Sequence, residues 1–111
     1  MDFETAVERV LALRDDRDWA QFHNPKDLAI SINLEAAELL EVFQWSGADV
    51  EVADKRGRIE EELADVVIYC IDLADRIGAS IPEIISRKID ADERKYPVEK
   101  ARGTSRKYTE L

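Results

Sequence analysis

The stretch Leu28-Ala29-Ile30-Ser31-Ile32-Asn33-Leu34-Glu35-Ala36-Ala37-Glu38-Leu39 decides the fold. Leu28, Ile32, Glu35 and Leu39 recur at steps of four, three and four, which traces one face of a helix and not the alternation of a strand. Just upstream, Asn24-Pro25 places an N-cap residue before the proline that suits a first helical position. Downstream, Gly47 suits the left-handed residue that follows a helix end. The pattern predicts a helix over 25–45, about 20 residues and about 30 Å long.

Working outward, the same periodicity predicts a helix over 54–77, closed by Gly78, with Ile59, Leu63, Val66, Val67, Cys70, Ile71 and Ala74 on its buried side. Asp2 caps a first helix built on Phe3, Val7, Val10, Leu11 and Leu13, which fades across the charged residues 14–18. Ser80 and Glu83 stand at the capping-box spacing before a fourth helix carrying Ile84, Ile85 and Ile89. That helix must stop before Pro97, because the residue ahead of a proline avoids the helical region. Residues 98–111 have few apolar side chains and read as a coil arm. The fold class expected is all-α: a compact bundle of four main helices, the second and third forming a long antiparallel pair. The domain spans 1–97, and the arm 98–111.

Composition narrows the function. With 111 residues, 45% of them hydrophobic, a single core is feasible without cross-links. Cys70 stands alone, so neither an internal disulfide nor a cysteine-based zinc cage forms. The 25 acidic residues outnumber 16 basic ones for a net charge of −9, the wrong sign for coating duplex nucleic acid. No apolar run approaches the roughly 20 residues that cross a bilayer, and the acidic N-terminus is unlike a secretion signal. A cytoplasmic protein is expected.

Two groups of acids fall where apolar residues belong. In the second helix Glu35 lies inside the apolar stripe, with Glu38 three residues on. In the third, Ile59, Glu62, Val66 and Tyr69 form the stripe, with Asp65 three residues after Glu62. If the two faces pack together, the four carboxylates converge. Two like charges about 6 Å apart cost roughly 3 kcal/mol at an effective dielectric of 20, a large share of a small domain's stability. Protons or cations must neutralise them, and oxygen-only ligands point to Mg²⁺, with Mn²⁺ second. Solvated acids in a Glu-rich chain are the plain alternative. A di-iron centre is excluded, since it needs a Glu-x-x-His on two helices and His23 is the only histidine. A cation cluster with few basic residues around it suits a substrate bearing phosphates. Trp19 and Trp45 flank the acidic helix, where a nucleobase would stack, although each also reads as ordinary helix-end packing.

The ordered set Trp19, Phe22-His23, Glu35-x-x-Glu38, Phe43-Gln44-Trp45, Glu62-x-x-Asp65, Tyr69 and Lys88 through Tyr96-Pro97 closely resembles the MazG-like all-α nucleoside triphosphate pyrophosphohydrolases, particularly their dCTP pyrophosphatase branch. The resemblance covers nearly the whole chain and is weakest over 101–109. It implies hydrolysis of a (deoxy)nucleoside triphosphate, dCTP or a modified dCTP first, to the monophosphate and pyrophosphate. It also implies Mg²⁺ held by Glu35, Glu38, Glu62 and Asp65, with Glu35 and Glu38 the catalytic pair. Trp19 and Trp45 would wall the base with His23 beside them, while Tyr69, Lys88 and Tyr96 would face the sugar and phosphates. A homodimer or homotetramer with sites completed across subunits is implied as well. Asp92 stands where this branch usually carries Asn, so an acceptor replaces a group that both donates and accepts, and base or sugar preference is affected. Ala37 replaces a common Gly. Arg102, Arg106 and Lys107 read as charges that offset the acidic excess. Two other functions fit the same residues: a catalytically silent helical interaction module, and a hydrolase of another phosphorylated metabolite.

Overall fold

The computed structural model describes the whole chain, Met1–Leu111, and every regular element in it is helical. The order is α1 (Phe3–Asp16), a 3₁₀ turn (Trp19–Phe22), α2 (Pro25–Glu41), a 3₁₀ turn (Ala53–Lys55), α3 (Arg56–Arg76), α4 (Ile81–Lys95), α5 (Val98–Ala101) and a last 3₁₀ turn (Tyr108–Glu110). The all-α expectation therefore holds, with a fifth, single-turn helix added. No helix is long and apolar enough to cross a membrane. The chain divides into two units, Met1–Gly78 and Ala79–Leu111.

In the first unit the caps act where the sequence places them. Asp2 accepts from the Thr5 amide at 2.8 Å, and Asn24 from the Asp27 amide at 2.8 Å, each satisfying a donor that a helix start leaves free. The pairing of α2 with α3 dominates this unit. Its sense is antiparallel: Arg76 at the end of α3 donates to the His23 carbonyl just before α2, at 3.1 Å, while Glu35 and Glu38 meet Glu62 and Asp65 further along. α1 crosses α3 and is tied to it by Arg14, whose Nη1 lies 2.6 Å from Asp75.

The core is small: Leu28, Val42, Val52, Ile71 and Ala74 are the buried apolar residues. Val52 is held with φ at 47°, a region costly for a β-branched residue. Burial of its side chain, together with the Asp49 carboxylate accepting its amide at 3.0 Å, keeps it there. Several expected core positions are instead exposed, namely Phe3 and Leu13 on α1 and Leu63 and Val67 on α3. Periodicity marks an apolar side of a helix; it does not say which part of that side a neighbour covers.

α2 ends at Glu41, short of the expected Trp45. Its final turn tightens through Phe43 N–H to Leu40 and Gln44 N–H to Glu41, and Trp45 itself takes a left-handed conformation at φ 69° ahead of Gly47.

In the second unit, the Ser80 side chain accepts from the Glu83 amide at 3.4 Å and opens α4, which stops at Lys95 as Pro97 requires. Ile84, Ile85 and Ile89 are exposed along it. Residues 98–111, expected as coil, contain α5 and the 3₁₀ turn. Tyr108 is anchored by edge-to-face contact with Tyr96 at 5.9 Å and by Lys95 over its ring at 4.9 Å. Two aromatic contacts of that kind order a tail whose low hydrophobicity does not announce it.

Candidate functional site

α2 and α3 each contribute an acid pair to one cluster. Glu35, Glu38, Glu62 and Asp65 offer ligand oxygens that all lie within 4.8 Å of one another. The spacing of three residues sets each pair on one edge of its helix, and antiparallel packing turns those edges together. One oxygen each of Glu35 and Glu62 is buried with no hydrogen-bond partner. Desolvation, then hydrogen bonding and repulsion from Glu38, hold the Glu35 and Glu62 carboxyls above the usual carboxylate range, with Asp65 adding to both. Arg58 acts weakly in the other direction on Glu62. Glu38 is thus the common neighbour of both. A divalent cation fits this donor set: the oxygens are hard, clustered, and under-satisfied as they stand.

Beside the cluster, a cavity of about 220 Å³ lies between α1, α3 and the 19–23 segment. Trp19, His23, Tyr69 and Asp72 line it together with Glu35 and Asp65. Trp19 starts the 3₁₀ turn and carries the Arg17 guanidinium 5.7 Å from its ring centre. His23 follows that turn, its backbone carbonyl fixed by Arg76 and its Nδ1 buried without a partner. Desolvation first, then Glu35, Asp72 and Asp65, push the Tyr69 hydroxyl up, so it remains a hydrogen-bond donor at neutral pH.

Of the residues singled out from sequence, seven meet around this region: Glu35, Glu38, Glu62 and Asp65 in the cluster, with Trp19, His23 and Tyr69 along the cavity that Glu35 and Asp65 share. Trp45 does not line the cavity and is 93% exposed. Lys88, Asp92 and Tyr96 belong to the second unit. There Lys88 pairs with Asp92 at 3.0 Å, one turn along α4, and Tyr96 packs on Tyr108.

Asp72 escaped the sequence reading. It is only 4% exposed, and its Oδ1 has no partner. A signal was present: Glu62, Asp65, Tyr69 and Asp72 advance by three, four and three residues, so all four share a face of α3. Desolvation raises the Asp72 carboxyl above its ordinary value and Asp75 and Asp15 add to this, while His23 and Arg14 pull it down.

Residues 30–111 match the model of the MazG-like family. The chain is 42% identical over 101 residues to dCTP pyrophosphatase 1 of Homo sapiens, covering 86% of this chain and 59% of that protein. It is 39% identical over 101 residues to dCTP pyrophosphatase 1 of Bos taurus, covering 86% and 60%. The chain therefore spans about three-fifths of the length of these curated relatives. A crystal structure of a pyrophosphatase from Archaeoglobus fulgidus superposes with a TM-score of 0.79 at 42% identity, covering 85% of this chain and 91% of that one. With its acid pairs on the two paired helices and its sequence matched over 30–111, the chain belongs to the MazG-like family.

Proposed function

We propose that this protein hydrolyses a (deoxy)nucleoside triphosphate, dCTP or a modified dCTP first, to the monophosphate and pyrophosphate, and so acts in cleaning the cytoplasmic nucleotide pool. The observation that carries this reading is the cluster of four carboxylates within 4.8 Å, adjoining a cavity walled by Trp19. The relatives named as dCTP pyrophosphatase 1 support the substrate class.

In this reading Glu35, Glu38, Glu62 and Asp65 hold Mg²⁺, with Mn²⁺ as the alternative. When bound, the ion neutralises carboxylate and phosphate charge and polarises the phosphoryl group. Trp19 stacks on the base and His23 stands beside it, which fixes the triphosphate relative to the acids. Trp45 is assigned as the opposite wall, supplied on assembly, and Lys88, Asp92 and Tyr96 take the sugar and phosphate contacts. Glu35, at the junction of the cluster and the cavity, is assigned as the acceptor of the attacking water's proton. The water oxygen bonds to the α-phosphorus, the bond from that phosphorus to the α–β bridging oxygen breaks, and its electron pair leaves with pyrophosphate.

The functional form is a homodimer or homotetramer. On α2, Ile30, Leu34 and Leu40 are exposed, as are Leu63 and Val67 on α3, too much apolar surface for two helices left to face water. Leu34→Glu should lower the mass measured by light scattering toward that of a single chain; an unchanged mass would place the interface elsewhere.

The deciding assay is a panel of canonical and 5-modified nucleoside triphosphates with Mg²⁺, following both products. Monophosphate plus pyrophosphate is expected. Diphosphate plus orthophosphate would overturn the mechanism, and no turnover would favour a silent module.

A further inference from the structure

We propose that Asp72 and His23 together read the edge of the bound base, selecting one that carries an exocyclic amino group beside a ring acceptor nitrogen, as cytosine and adenine do. This rests on the nucleotide reading of the cavity given above and adds to it a residue that chooses among nucleotides.

The argument begins with an unmet demand. Asp72 is 96% removed from solvent, yet its Oδ1 accepts no hydrogen bond, and no side chain forms an ion pair with it. His23 Nδ1 is in the same condition, and both residues line the same cavity. A buried polar atom without a partner is costly, and two around one hollow mark the hollow as the place where a ligand supplies the partners. The rest of the lining selects the part of the ligand. Val10, Leu13, Ile68 and the Trp19 ring are apolar or flat, and the one cation in the lining, Arg14, is already paired with Asp15 and Asp75, which suits a base better than a triphosphate.

The polarity of the pair then selects the base. An ionised carboxylate only accepts, so Asp72 needs a donor such as an amino N–H. An imidazole carrying its hydrogen on Nδ1 supplies a donor, which the adjacent ring nitrogen of the base accepts. Cytosine offers donor then acceptor along that edge, whereas uracil and thymine offer a carbonyl oxygen where Asp72 needs a hydrogen. A carbonyl oxygen against a buried carboxylate leaves two acceptors facing each other. Substrates lacking a hydrogen bond that a buried site is built to make are strongly rejected.

The test compares kcat/KM for dCTP and dUTP at the alkaline end of the enzyme's working range, since burial raises the Asp72 carboxyl above its ordinary value. The wild type should prefer dCTP by about tenfold or more, and Asp72→Asn, whose amide can donate to a carbonyl, should erase or invert the preference. Should that variant fail to fold, the wild type is assayed with the 2-pyrimidinone analogue, in which hydrogen replaces the 4-amino group. A loss of about tenfold against dCTP is expected there too. The inference is overturned if Asp72→Asn lowers turnover of dCTP and dUTP equally, which would make Asp72 only a prop for His23. It is also overturned if the variant alters the CTP-to-dCTP ratio instead, which would place Asp72 on the sugar, or if the analogue equals dCTP. In all these cases the pyrophosphohydrolase reading stands. A wild type that hydrolyses no nucleoside triphosphate removes both.

Discussion

One face of α3 carries two kinds of unsatisfied acid, and they differ in how they are surrounded. At its N-terminal half, Glu62 and Asp65 meet Glu35 and Glu38 and share one another's charge. Two turns further on, Asp72 sits nearly dry, with a histidine as its cavity neighbour and no second acid in the lining beyond the two that border the cluster. The cluster is a problem of excess like charge, which a divalent cation solves. Asp72 presents a missing hydrogen-bond donor, which a cation serves poorly and a base amino group serves well. The same residue type is thus turned to two tasks by burial and company alone.

The largest effect should come from the centre of the cluster. Glu38→Gln keeps the shape but removes the charge adjoining both Glu35 and Glu62, and turnover should fall by roughly two to three orders of magnitude. Circular dichroism should show the helices intact. Activity within a few-fold of wild type would show that the acids do not act as a set.

A second measurement separates the two regions. Saturating Mg²⁺ should raise the melting temperature of the wild type by about 5 °C or more, through binding to the folded state alone. Asp72→Asn should keep that rise, while Glu38→Gln should lose most of it. Loss of the rise in Asp72→Asn would merge the two regions into one metal site.

A smaller effect concerns pH in a chelating buffer. Glu35 and Glu62 ionise less readily in the folded chain than in the unfolded one. Such a group contributes stability that is present below its unfolded value and is lost as pH rises through the raised folded value. Melting from about pH 4 to about pH 8 should therefore show the wild type losing ground to Glu38→Gln as pH increases. A difference that stays flat across that range would mean the cluster carries no excess charge.

Much of this was legible in the residues. Asp2, Asn24-Pro25 and Ser80 mark helix starts because their side chains satisfy amides locally, without help from distant chain. The acid pairs were legible for the same reason: three residues on a helix is a fixed rotation. The end of α2 was less so, because whether Val42 continues a helix or turns to bury its side chain depends on what lies across from it. The ordered tail was hidden too, since the Tyr96–Tyr108 contact joins residues twelve apart through a bend that no periodicity describes.

Local rules alone therefore settled the helical class, the caps, and the acids that share an edge, for each depends on rotation and hydrogen bonding within a few residues. Only the packed chain decided that Asp72 is buried while Leu63 and Trp45 face water. Amphipathicity ranks the sides of one helix, but burial is settled by the surface that arrives from elsewhere, here α1 and the 19–23 segment closing over the C-terminal half of α3.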